Sequence, residues 1–322
     1  MKPKQRFISA LNFEQPDKVS MMELEFQIHE EYVGEALTVG HEFAALTRNE
    51  KDYALAKNAE IIIKTAKKAG HDVIREIGGY WEVAPGVPAM LWLPEMEDRL
   101  KQVRLLKKLA GDEFFILCLP AWFIAIPEGD KIDDFITQLY DDPASLHTLA
   151  EQYLQHSIET QKQYIEAGAD GVGTAADIAF KTGTFLSPTQ LDEFFFPYFY
   201  RWVESVKKEG IYSIWHTDGN LNAIMDTIIE SGVSALQCID PLADMDIISL
   251  KQKTYGKMAL IGNIDCTLLQ LGPIEKIQEE SKRIIEGSKT GGGFVFSGCN
   301  SIFKGIPANH YQAMVDARNM YG

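Results

Sequence analysis

The chain has no run of about 18 consecutive apolar residues, the least that a membrane-spanning helix needs, so no membrane span is expected. The first residues, Met1 to Arg6, lead into no apolar core, so no secretory signal is expected either. Basic residues are in the minority. Lys and Arg number 31 against 46 Asp and Glu, a formal net charge of -15. That balance argues against a general binder of nucleic acid or of anionic membranes, and leaves room for a partner with a basic patch. Cysteine is scarce: Cys118, Cys238, Cys266 and Cys299 show no close-paired spacing. A reduced, cytoplasmic setting fits such a chain, and each thiol reads more readily as a small buried hydrophobe than as a ligand. Phosphate-cradling loops are missing too. No Gly-x-Gly-x-x-Gly stands at a strand-to-helix turn, Gly171-Val172-Gly173 lacks its third glycine, and there is neither a Gly-x4-Gly-Lys-Ser loop nor a Gly-x-Ser-x-Gly elbow.

Present instead is an alternation of short apolar runs with amphipathic stretches. Strands are expected to end near Phe26, Val83, Ala125, Ala175, Trp215, Ile239, Ile264 and Ser297. Eight strands separated by helices point to an α/β chain, a single (β/α)8 TIM barrel over residues 1–322. Its first 70 residues include helical segments placed to form a lid over the barrel mouth or an N-terminal extension. Pro85-Gly86-Val87-Pro88 reads as a loop. Ser187-Pro188 reads as an N-cap with proline at the first helical position. The aromatic helix it opens, expected to run to about Glu209, is expected to pack on a sheet or a subunit.

In such a barrel the turns after the strands share one rim, where ligands bind. Trp215-His216-Thr217-Asp218-Gly219-Asn220 falls on that rim, with Asp240, Asn263, Asp265 and Cys299. His216, Asp218 and Cys299 supply nitrogen, oxygen and sulfur donors of the kind that Zn²⁺ takes. The plain alternatives stay open: Asp218 hydrogen-bonds His216 or caps the next helix, and Cys299 is a buried, inert thiol. Glu23 and Glu25 alternate with apolar neighbours, so both carboxylates share one face of the first strand. A second set, Glu35, Glu50 and His71, has an order that suits ligands, but His71 precedes the second strand, at the end opposite the rim. His29, His41, His147, His156 and His310 form no constellation.

Several motifs together give the chain a resemblance. They are Arg6-x3-Ala10-Leu11 with Pro16-Asp17-Lys18-Val19, Leu186-Ser187-Pro188 with Pro197-Tyr198, His216-Thr217-Asp218-Gly219, Gly262-Asn263-Ile264-Asp265, Gly298-Cys299-Asn300-Ser301-Ile302 and Pro307-Ala308-Asn309. On these, spread over nearly the whole length, the chain resembles the uroporphyrinogen decarboxylase superfamily, including its cobalamin-dependent methyltransferase branch. In the decarboxylases an arginine-bearing N-terminal segment grips porphyrin carboxylates. The corresponding stretch here, around Glu25-Phe26-Gln27, has no arginine, which turns the reading away from porphyrins. In the methyltransferase branch a His-x-Cys pair and a later Cys hold Zn²⁺. His216 and Cys299 match the first and third of these, and position 218 is Asp. The resemblance therefore implies an enzyme of anaerobic O-demethylation that takes a methyl group from an aryl methyl ether, with His216 and Asp218 as catalytic residues. Tyr80, Trp81, Trp92, Trp122 and Phe180 would wall the substrate pocket, with Asp177 and Asn263 as its polar members. The chain lacks an Asp-x-His-x-x-Gly corrinoid signature, so the cobalamin would arrive on a separate corrinoid protein docking on the rim. Whether the chain acts as a homodimer stays open. Two rival readings remain: a decarboxylase acting on a non-porphyrin substrate, and a non-catalytic binding protein that keeps the barrel.

Overall fold

The structure is a computed structural model, and it describes residues 1–84, 86–88, 90–127 and 129–322. Eight parallel strands form one sheet: β1 (Ser20–Met21), β2 (Val73–Arg75), β3 (Phe115–Ala121), β4 (Gly171–Ala175), β5 (Tyr212–Thr217), β6 (Ala235–Cys238), β7 (Ala259–Ile264) and β8 (Phe294–Gly298). Their order around the sheet is β1-β8-β7-β6-β5-β4-β3-β2. Helices separate consecutive strands, from Arg48–Ala69 after β1 to Ala308–Tyr321 after β8. The expected (β/α)8 barrel is thus present and nearly closed. Strands covered on both faces read as unbroken apolar runs, and all six residues of β7 are buried. No helix among the described residues is long and apolar enough to cross a membrane.

Closure falls to side chains where the ladder is absent. No β1–β2 pairing occurs among the described residues, but the Asp72 backbone N–H donates to the Met21 carbonyl at 2.8 Å. The Asp72 carboxylate in turn accepts from Met21 N–H at 3.2 Å and from the Ser20 hydroxyl at 2.8 Å. Two arginines neutralise it: Arg6 at 2.6 Å and Arg318 at 3.6 Å. Arg6 also reaches Asp17 at 2.6 Å, and Arg318 donates to the Val19 carbonyl at 2.8 Å. The first and last helices are therefore both tied to the seam where no ladder forms among the described residues.

Some boundaries differ from the sequence expectation. The second strand ends at Arg75, not near Val83, and Gly78-Gly79 lies in the loop beyond it. Glu82–Ala84 instead forms a small antiparallel hairpin with Val87–Pro88. In the expected loop there, Pro85 lies outside the described residues. The first strand is only two residues long, and Phe26 keeps an isolated parallel bridge to Ile302. The aromatic helix is two: Pro188–Phe194, with Ser187 capping Gln190 N–H, and Phe196–Lys208. Pro197 cannot donate to the turn before it, so the helix restarts there. Its rings meet the sheet as expected, with Phe195 and Phe199 at 5.2 and 4.7 Å from the Trp215 ring. The helix Arg48–Ala69 packs through Ala54, Leu55, Ala59 and Ile62 into a core shared with Leu100, Val103 and Leu106 of Met96–Ala110.

Beyond β1, Glu23 bridges to β8 and the last helix. It accepts from Gly298 N–H at 3.0 Å, the Ser297 hydroxyl at 3.1 Å and the Tyr311 hydroxyl at 3.0 Å. Three donors favour the carboxylate, but burial outweighs them and lifts its pKa to about 8.

Two stability predictions follow from these buried groups. Replacing Arg6 by Met leaves Asp72 in an apolar seam with one distant cation. Urea unfolding should show a loss of about 3–5 kcal/mol, as for other broken buried pairs, and an unchanged midpoint would refute the role given to the seam. Glu23 holds a proton in the folded state that the unfolded chain releases near its ordinary 4.5, so stability should fall as pH climbs from about 4.5 to about 8 and level off above. In Glu23→Gln that part of the slope should vanish. Unfolding midpoints followed across this pH range check it, and an unaltered slope in the variant would count against it.

Candidate active site at the barrel mouth

The site is built by register. Ala175 of β4 lies opposite His216 of β5, and Gln237 of β6 lies opposite His216 from the other side. Two residues beyond Ala175 and His216 come Asp177 and Asp218, so the two carboxylates emerge side by side. The turn presses closely on the preceding loop. Gly219 has φ +91, and a Cβ there would sit 2.4 Å from the Ala179 carbonyl oxygen, so only glycine fits. The contact is stitched by Ala176 N–H to the His216 carbonyl, Ile178 N–H to the Thr217 hydroxyl, and Asp218 N–H to Asp177 Oδ1 at 3.0 Å.

His216 is 4% exposed. Its Nδ1 is held by Gln237 Oε1, and the amide of Gln237 donates to the Cys299 carbonyl at 3.3 Å. With Oε1 as acceptor, Nδ1 carries the proton and Nε2 is free. Nε2 faces Asp218 Oδ1 at 3.7 Å and Asp177 Oδ1 at 3.9 Å. Asp218 Oδ2 accepts from Asn300 at 2.7 Å, while its buried Oδ1 has no hydrogen-bond partner. Burial raises the Asp218 pKa; His216 opposes this, and neighbouring Asp177 adds to it.

Beside this group lie three thiols from the ends of β6, β7 and β8. Cys266 Sγ stands 3.9 Å from Cys299 Sγ, and the Cys238 thiol is also within hydrogen-bonding reach of Cys299. Hydrogen-bonding contacts with Cys238 and Cys266 hold the Cys299 thiol below its ordinary range. Those bonds, with burial, push Cys238 and Cys266 up. Cys238 and Ile239 have φ of +101 and +53, a conformation that such side chains rarely adopt and that concentrates at functional sites.

A further polar group opens between β1 and β2. Glu25 pairs with Arg75 Nη1 and accepts from Leu91 N–H at 2.8 Å. Glu76 accepts from Leu119 N–H at 2.9 Å, and its buried Oε2 has no hydrogen-bond partner. Burial lifts the Glu76 pKa to about 7. Glu23 and Glu25 both line this cleft, as their alternation predicted, with Glu23 bridging to β8 and Glu25 pairing with Arg75.

Among the residues expected at the site, His216, Asp218 and Asp177 come together. Their donor atoms form the one group of three possible metal-binding side chains, among the described residues, that all lie within 4.8 Å of one another. Cys299 lies with the thiols, close enough for its charge to act on Asp218. Asn263 is buried, donates to the Ile239 carbonyl at 2.6 Å and leaves its Oδ1 without a partner. Tyr80, Trp81, Trp122 and Phe180 are all partly exposed. Tyr80 packs edge-on against Trp92 at 4.8 Å, and Phe180 against Phe185 at 5.9 Å. The second proposed metal set disperses: Glu35 pairs with Lys57 and Lys64, Glu50 caps Thr47, and His71 bonds the Tyr311 hydroxyl. Gln237 escaped the sequence reading, and Cys238, Cys266 and Asn300 were named there without a place in the site. The signal for Gln237 is there, a lone amide in the apolar run Ala235–Cys238, whereas the partners of Cys266 depend on distant turns.

Comparison with known proteins agrees with this architecture. The Uroporphyrinogen decarboxylase (URO-D) family matches residues 123–321. A uroporphyrinogen decarboxylase of Anaeromyxobacter sp. (strain Fw109-5) is 32% identical over 181 residues, covering 56% of this chain and 49% of that protein. The chain thus aligns with about half the length of this curated relative. Among solved structures, a methyltransferase from Methanosarcina mazei superposes with a TM-score of 0.75 at 18% identity, covering 100% of this chain and 99% of the other. A putative vitamin-B12-independent methionine synthase from Listeria monocytogenes gives 0.51 at 12% identity, over 95% and 97% of the two chains. At such identities these likenesses speak for the fold alone. With the family match extending over more than half of its length, from the turn after β3 to the last helix, the chain belongs to the uroporphyrinogen decarboxylase (URO-D) family.

Proposed function

We propose that the chain is a methyltransferase that takes a methyl group from an aryl methyl ether and passes it to cobalamin carried by a separate corrinoid protein docked on the rim. The observation that carries this reading is the bare Nε2 of His216 facing two carboxylates at the barrel mouth. The full-length likeness to a methanogen methyltransferase adds support at the level of fold. The four free cysteines suit a reduced cytoplasmic setting.

The residues fit a metal ion. Asp218 Oδ1 is an orphaned buried oxygen, His216 offers a free nitrogen, and the thiol of Cys299 is the further donor that the resemblance supplies. When bound there, Zn²⁺ would serve as a Lewis acid on the departing ether oxygen. The corrinoid supplies the electron-rich centre that accepts the methyl group. The chain's own residues have three tasks. Gln237 fixes the imidazole so that Nε2 points into the mouth. His216 and Asp218 sit where the ether oxygen gains charge; without a metal ion, either, in its protonated form, would place a proton on that oxygen instead. The half-exposed rings of Tyr80, Trp81, Trp122 and Phe180 offer apolar surface to the aryl group.

The decarboxylase reading draws on the names of the curated relatives. It calls for a cation free to hold a substrate carboxylate, and Arg75 at the mouth is already engaged by Glu25. His216→Ala should slow methyl transfer by roughly 10²–10⁴-fold, the usual worth of general acid help, with little change in KM for the ether. Formation of methylcobalamin from cob(I)alamin, followed by its visible absorbance, measures this. A variant as fast as the wild type would remove His216 from the reaction. No reaction by either protein with any methyl ether would overturn the donor class.

A further inference from the structure

We infer that Asp177, His216 and Asp218 make up a divalent-cation site of one nitrogen and two carboxylate donors, in which Asp177 takes the place expected for Cys299. The inference rests on reading His216 and Asp218 as cation ligands, and it changes the chemical class of ion that the site prefers.

Three observations lead to it. First, the vacant donors are on the Asp177 side. His216 Nε2 has no hydrogen-bond partner among the described residues, and neither has the buried Oδ1 of Asp218, the oxygen nearest to it. Cys299 is different. Its thiol donates to Cys266 Sγ at 3.9 Å and lies within reach of the Cys238 thiol, so its hydrogen bonding is satisfied within the thiol cluster.

Second, the spacing suits an ion better than a proton. A charged imidazolium would draw a carboxylate oxygen to about 2.7–2.9 Å. The two oxygens instead stand 3.7 and 3.9 Å from Nε2. Metal–oxygen and metal–nitrogen bonds of about 2.0–2.2 Å place neighbouring donor atoms of a tetrahedral site about 3.3–3.6 Å apart, so a small inward shift of the two carboxylates would seat an ion. A lone pair on Nε2 facing two carboxylates is repulsive, and a cation among the three removes the repulsion.

Third, the outer contacts are those that steady ligands. Gln237 holds Nδ1 of the imidazole, Asn300 holds Asp218 Oδ2 at 2.7 Å, and the Asp218 backbone N–H holds the Asp177 carboxylate at 3.0 Å. Such partners fix tautomer and orientation. One imidazole and two carboxylates suit borderline to hard divalent ions, Mn²⁺ as well as Zn²⁺, whereas thiolates select softer ones.

The test uses the full chain, stripped of metal by chelator and titrated with Co²⁺ alone. Equilibrium dialysis with Zn²⁺ and with Mn²⁺ runs alongside. No methyl donor is involved, so a failure here is separate from a failure of the demethylation reading. Wild-type protein should bind one Co²⁺ per chain, giving weak visible ligand-field bands and no intense near-ultraviolet thiolate-to-cobalt band. Asp177→Ala should weaken binding by at least the order of 10–100-fold that even outer-shell changes cause, and Asp177→Asn should weaken it while preserving side-chain shape. Circular dichroism confirms folding of each variant. In Cys299→Ser the ligand-field bands should persist, since no thiolate is among the ligands. The inference is overturned if the wild type shows a strong thiolate band that Cys299→Ser abolishes. It is equally overturned if both Asp177 variants bind as the wild type does, or if the wild type binds none of the three ions.

Discussion

The barrel hangs on one buried carboxylate. Asp72 sits where β1 and β2 meet without a ladder, and it is wholly shielded from water. Burial alone drives its pKa up, against the pull of Arg318 and Arg6. An ion placed so deep is tolerable only with partners on every side. Those partners are the residues that the seam needs to hold: Ser20 and Met21 of β1, Arg6 of the first helix and Arg318 of the last. A parallel barrel has no edge when closed, and here the closing contact is electrostatic rather than a run of backbone bonds. The Arg6 and Pro16-Asp17 motifs thereby acquire a structural meaning. They join the first and last helices at the end of the barrel opposite the rim.

At the opposite end the same short β1 has another consequence. Without a β1–β2 ladder the rim is open between them, and Glu25, Arg75 and Glu76 fill the opening. Arg75 answers one carboxylate directly and lies 3.9 Å from the other. Burial pushes Glu23 and Glu76 up toward their neutral forms. These two carboxylates of the mouth are therefore muted. The polarity that remains is concentrated on β4 and β5, at Asp177, His216 and Asp218.

The strand order and the rim could be read from the sequence because both follow from periodicity. An apolar run ending in a polar turn marks a strand end whether or not its neighbours are known. His216 and Asp218 were visible for that reason. The bounds of the first two strands were not, since Glu23 and Glu25 look like strand alternation while the backbone has already left the ladder at Met21. Nor could Asp177 be set beside His216 before the β4–β5 register was known, because a shift of one residue would have turned it to the other face. Ligand sets that draw on several strands are legible as residue types and illegible as distances.

The thiol cluster shows how a residue can serve a site through its backbone. Cys238 lies opposite Thr217 across the β5–β6 ladder, directly after the Gln237 that holds His216. Its positive φ turns the chain sharply at the strand end. The Cys299 carbonyl, not its sulfur, receives the Gln237 amide, and this fixes which end of that amide meets the imidazole. The sequence of contacts runs from Cys299 O to Gln237 Nε2, and from Gln237 Oε1 to His216 Nδ1. Each link removes one rotational choice, so Nε2 reaches the mouth as a fixed lone pair. Satisfied by its two neighbouring thiols, the sulfur of Cys299 packs the ends of β6, β7 and β8 together and so holds that carbonyl in place. The position of Cys299 thus matters to the imidazole through its backbone carbonyl.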